Sequence, residues 1–151
     1  MPPTHAPTKP TASRDEVAAA LRQRGYRVTS QRLIVADALG GAGRHLSAEE
    51  VMAAVGERLP NLSLPTVYAA LDALEDAGLV RRVAAGRGAA LYDAGPAAHH
   101  HLVCRRCGAV ADLDADVRLE PALAGAAERG FEADGAEVVV RGLCASCRRS
   151  A

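Results

Sequence analysis

Apolar positions recur at helical spacing through the first half of the chain and then change period. Ser13 and Glu16 form a capping box that opens a helix, Val17, Ala20 and Leu21 give it an apolar stripe, and Gly25 stops it. Thr29 caps a second helix running to about Leu39, with Leu33, Ile34 and Ala38 as its buried face and the Gly/Ala-rich stretch 40–43 as its end. Ser47 and Glu50 repeat the capping box and open a third helix that buries Val51, Met52 and Val55 and ends near Leu59. A fourth helix begins after Ser63, with Pro65 in its first turn, where the N–H groups have no intrahelical partner. Val67, Leu71 and Leu74 form its apolar face and Gly78 follows it. Two helices joined by a short turn read as a helix-turn-helix.

Beyond residue 78 the pattern becomes that of strands. Residues 79–83 and 91–94 are two strands around a glycine-containing turn, a wing after the helix-turn-helix. Small residues at 95–98 read as a hinge. A second unit follows, with strands at 101–104, 110–113 and 137–144 and a helix near 119–129. The expected fold is α/β (α+β). A Pro/Thr-rich disordered tail (1–12) precedes a winged-helix domain (13–94), a hinge (95–98) and a small α/β domain (99–151).

Composition sharpens this in two respects. Hydrophobic residues make up 49% of the chain but aromatics only 3%, so large side chains for a core are scarce, and a metal or a second copy must supply what packing does not. Net charge is zero, which excludes a simple polybasic nucleic-acid binder, yet Arg22, Arg24, Arg27 and Arg32 crowd a stretch without acids. The first residues lack the apolar run of a signal peptide, and no stretch suits a membrane span. A cytoplasmic protein is expected, without membrane partners.

In a reducing compartment paired C-x-x-C motifs read as metal ligands. Cys104 with Cys107 and Cys144 with Cys147 each follow a predicted strand, so four thiolates from two strand ends can hold one structural Zn2+. Four thiolates leave no open coordination position, which argues against a zinc hydrolase, and no cysteine remains for thiol catalysis. A zinc-ribbon interaction module without DNA binding would leave the winged-helix pattern unexplained. Neither an enzyme nor a small organic substrate is expected.

Several features occur in the order seen in one family: RVTSQR (27–32), the histidine before LSAEE (45–50), TVYAALDALEDAGLV (66–80), HHHLVCRRCG (99–108) and GLCASC (142–147). Over residues 14–149 the sequence resembles the ferric uptake regulator family. That resemblance implies a homodimeric repressor that reads double-stranded DNA with its winged helix and dimerises through its α/β unit. Two-fold symmetry predicts a pseudo-palindromic operator. Tyr68, on the recognition helix and expected to face outward, is the leading base or sugar contact. Ser63, Thr66, Arg27 and Arg32 are backbone candidates, with Arg22 and Arg24 behind them and Arg87 in the wing turn. Ala69 departs from the arginine or asparagine common in the family, which weakens transfer of any operator sequence.

His99 and His101 share one strand face, with His100 on the other. Spacing alone does not bring them to His45, Asp93 and Asp112. The resemblance supplies that step and implies a regulatory site of His45, Asp93, His99, His101 and Asp112. Its nitrogen and oxygen donors suit Fe2+ or Mn2+, with Zn2+ or Ni2+ less favoured. No histidine follows His101, so the family's third site is absent or incomplete. Aspartate at both 93 and 112 resembles the peroxide-sensing branch. That implies iron-dependent oxidation of His45 and His99, release of DNA, and control of peroxide-defence genes. An iron or manganese homeostasis repressor is the alternative; zinc or nickel sensing has less support.

Overall fold

The computed structural model describes residues 12–42, 45–83, 90–94, 100–133 and 135–150. Its described residues form two compact units, one reaching Val83 and including 90–94, the other made of 100–150.

In the first unit, helix α1 (Arg14–Gln23) starts from a complete capping box: the Glu16 N–H donates to Ser13 Oγ at 3.3 Å and the Ser13 N–H donates to Glu16 Oε2 at 2.7 Å. Gly25 takes φ 81°, and the Tyr26 N–H returns to the Leu21 carbonyl at 2.9 Å. Helix α2 (Ser30–Ala42) begins where Thr29 Oγ1 accepts from the Arg32 N–H at 3.3 Å. It runs through Gly40 and Gly41 rather than ending before them. Its buried residues are Val35 and Leu39; the expected Leu33, Ile34 and Ala38 are half-buried. Three successive apolar residues, 33–35, span about 200° of helix, so spacing leaves the inward one undecided.

A strand of two residues, β1 (Leu46–Ser47), leads directly into α3 (Ala48–Val55). Ser47 is both strand end and N-cap, in a second complete capping box with Glu50. The buried face of α3 is Ala48, Val51 and Val55, with Met52 half-buried. Helix α4 (Leu64–Asp76) is capped by Ser63 and buries Val67, Ala70, Leu71, Ala73 and Leu74. Strands β2 (Arg81–Val83) and β3 (Leu91–Asp93) complete an antiparallel sheet of order β1-β3-β2. The core gathers Leu21, Val35, Val51, Val67, Leu71, Leu74 and Tyr92, each worth about 1.5–3 kcal/mol when fully buried. Asp37 on α2 ties α1 to the segment after α3. Its Oδ2 lies 2.5 Å from Arg14 Nη2 and 3.3 Å from Arg58 Nη2.

The second unit is a sheet of order β5-β4-β6. Strand β4 (His100–Cys104) pairs antiparallel with β5 (Val110–Leu113) and parallel with β6 (Val139–Gly142). A parallel neighbour requires a crossover, and α5 (Glu120–Glu128) lies in it, with Pro121 in its first turn. A short helix, α6 (Ala145–Arg149), follows β6. Among the described residues of this unit only His101, Val103 and Cys104 are buried. Such a core is too thin to stabilise a domain by itself. Leu102 and Val140, opposite each other across β4 and β6, are 40% and 46% exposed.

Candidate metal centres and nucleic-acid interface

The cysteine cluster grows out of the β4–β6 ladder. Cys104 ends β4, and the turn after it closes when the Gly108 N–H donates to the Cys104 carbonyl at 2.9 Å, with Gly108 at φ 74°. Cys144 caps α6, its Sγ accepting from the Cys147 N–H at 3.4 Å. Cys104 Sγ accepts from the Cys144 N–H at 3.4 Å, and the Arg106 guanidinium donates to the Cys147 carbonyl at 2.7 Å. The four sulfurs lie within 4.8 Å of one another, and Cys107 and Cys144 are 3.8 Å apart. A tetrahedron with metal–sulfur bonds of about 2.3 Å has edges of about 3.8 Å, so the spacing fits a metal and not a disulfide, and all four are free cysteines. Backbone N–H groups of Cys107 and Cys144 pull the Cys104 thiol down to about 6. Cys147 is pushed up to about 12, chiefly by the Cys144 side chain. The first thiolate forms readily; the last needs a cation to offset its neighbours.

Each unit also presents a cross-strand His–Asp pair. In the first, the β1–β3 register of Leu46 with Tyr92 puts His45 beside Asp93, with Nε2 and Oδ2 3.9 Å apart and side chains 8% and 19% exposed. In the second, His101 pairs directly with Asp112 across β4 and β5, again with Nε2 and a carboxylate oxygen 3.9 Å apart. His101 is wholly buried, whereas Asp112 is 60% exposed. A cation about 2.1 Å from each donor spans up to about 4.2 Å, so either pair can share one. His99, Arg87 and the segment 95–98 lie outside the described residues.

On α4, Tyr68 is half-buried, packed in part against the core. The exposed positions are Pro65, Ala69, Asp72, Glu75 and Asp76. Ser63 Oγ and Thr66 Oγ1 are 2.8 Å apart at the N-terminus, engaged with each other. Arg32 donates to the Arg27 carbonyl at 2.5 Å and stacks 5.3 Å from the Tyr26 ring centroid. Arg22, Arg24 and Arg27 are exposed. Sequence reasoning missed Glu137, whose Oε2 lies 3.5 Å from His101 Nδ1. Only the β4–β6 register brings them together; no motif marks it.

A winged helix-turn-helix followed by an α/β unit with a four-cysteine cluster defines a metal-binding transcriptional regulator. The ferric uptake regulator family model matches residues 23–141. Ferric uptake regulation protein 1 of Mycolicibacterium fortuitum is 43% identical over 120 residues, 79% of this chain and 74% of that protein. Transcriptional regulator FurA of Mycobacterium tuberculosis is 41% identical over 84% of this chain and 86% of its own length. The peroxide-responsive repressor PerR of Staphylococcus aureus is 32% identical over 66% of this chain and 67% of its own. A solved structure of the Pseudomonas aeruginosa ferric uptake regulator with manganese aligns at TM-score 0.64 and 34% identity, covering 84% of this chain and 96% of that one. The chain belongs to the ferric uptake regulator family. It is a metal-dependent DNA-binding repressor and not an enzyme. None of its described helices is long and apolar enough to cross a membrane.

Proposed function

We propose that this repressor answers to iron or manganese, works as a homodimer, and binds a pseudo-palindromic operator. The carrying observation is the pair of His–Asp couples, one in each unit, each spaced to share a cation. His45, Asp93, His101 and Asp112, with His99, are the ligands of one regulatory ion. Nitrogen and oxygen donors without thiolate suit ferrous or manganous ions. His45 and Asp93 belong to the DNA-reading unit, His101 and Asp112 to the other, so occupancy biases the population of their arrangements. The four cysteines hold a structural zinc ion, as their donor set and 3.8 Å edge support.

Sequence ligands alone favour the peroxide-sensing branch, because both carboxylates are aspartates. The relatives support the iron or manganese reading instead: 43% identity over 79% of this chain to a ferric uptake regulation protein, against 32% over 66% to the peroxide-responsive repressor. Peroxide sensing therefore stands second, carried by Asp93 and Asp112. Operator-bound protein loaded with Fe2+ or Mn2+ and then exposed to hydrogen peroxide separates the two. Unmodified His45 and His99 peptides with retained DNA support metal homeostasis. Iron-specific release with one oxygen added to either histidine selects the second reading. DNA binding indifferent to both metals would sink both.

A further inference from the structure

Two adjacent histidines on β4 do different work. His100 Nδ1 accepts from the Val138 N–H at 3.0 Å. The His101 N–H donates to the Val138 carbonyl at 3.0 Å. Both backbone groups of Val138 are therefore gripped by β4, and the residue before it has little freedom. That residue is Glu137, whose Oε2 lies 3.5 Å from His101 Nδ1. On the other edge of the same wholly buried ring, Nε2 lies 3.9 Å from Asp112 Oδ1. Asp112 comes from β5 on one flank of β4 and Glu137 from the approach to β6 on the other. One imidazole presents one nitrogen to one cation; the other nitrogen carries hydrogen and needs an acceptor.

We propose that Glu137 is a positioning residue that accepts the Nδ1–H of His101 and thereby turns the Nε2 lone pair toward Asp112 and a divalent cation. The inference rests on His101 being a regulatory ligand. It also assigns the neighbouring rings opposite tautomers. His100, whose Nδ1 is an acceptor, carries its hydrogen on Nε2; His101 carries it on Nδ1. His100 is thus a backbone bolt that sets the register of Glu137.

The test uses full-length, zinc-loaded protein with 15N-labelled histidine, at a pH where the imidazoles are neutral and without regulatory metal. Long-range 1H–15N spectra should show the Nδ1–H tautomer for His101 in the parent and in Glu137→Gln, which keeps an acceptor, and a mixture in Glu137→Ala. Manganese titration should find Glu137→Ala about tenfold weaker and Glu137→Gln within about threefold of the parent, as expected for a group that orients a ligand. Zinc content and far-ultraviolet dichroism report whether each variant is folded; should Glu137→Ala fail there, the tautomer in Glu137→Gln carries the test. An unchanged tautomer and affinity in folded Glu137→Ala, or loss of the Nδ1–H tautomer in Glu137→Gln, would overturn the proposal. His101→Ala is the control. If it binds manganese like the parent, the ligand assignment has failed, and not merely the role of Glu137.

Discussion

Two single residues show opposite outcomes of taking a polar group partly out of water. Tyr92 is 1% exposed, and its hydroxyl has no hydrogen-bond partner among the described residues. Burial pushes its pKa up. Tyr92→Phe keeps the ring and removes a desolvated hydroxyl, so urea unfolding should show unchanged stability or a gain of up to about 1 kcal/mol. A loss larger than that would mean the hydroxyl is bonded. Asp37 behaves oppositely. The Arg14 hydrogen bond, outweighing partial burial, holds its carboxyl below the usual aspartate value. A depressed folded-state pKa adds stability that is present above 3.8 and lost as pH falls through the folded value. With its side chain 32% exposed, solvent screening limits the effect. Asp37→Asn should cost about 0.5–1 kcal/mol near neutrality and nothing at a pH below both values. Thermal melts at two pH values check this; an equal deficit at both would contradict it.

At the scale of elements, legibility followed the strength of local signals. The two Ser-x-x-Glu boxes marked α1 and α3 because side chain and backbone satisfy each other there, whatever the surroundings. Spacing sets the inward face of α2 one residue early, since Leu33, Ile34 and Val35 are all apolar and tertiary packing chooses among them. Strand β1 was invisible: two residues have no period, and only pairing with β3 makes them a strand. Yet β1 places His45 beside Asp93, so the element that brings together half of the proposed regulatory ligands is the hardest to read. Helix α6 was hidden because Cys144, its cap, reads first as a ligand. The cysteines themselves were fully legible from their spacing. Ser47 serves strand and helix at once. Ser47→Ala should cost about 1 kcal/mol in unfolding and should also weaken manganese binding through His45. Normal metal affinity in the variant would show that β1 holds its place without the cap.

For the molecule as a whole, stability is unevenly shared. The first unit has a core of buried aliphatic side chains, whereas the second buries three described residues. A chelator strong enough to strip the four cysteines should melt the second unit and leave the helices of the first protected, which hydrogen exchange would resolve. Uniform loss of protection would instead mean that the units unfold together. The parallel pairing of β4 with β6 has a further consequence, in time rather than in energy. His101 meets Val139 only after the whole crossover has closed, and contacts so distant along the chain form slowly. Cys104 and Cys144 sit at the ends of those same two strands, so an ion captured early would close the loop before the sheet exists. Dilution from urea should then regain native structure faster with zinc already present than with zinc added afterwards, and a newly made chain would depend on the zinc at hand while it folds.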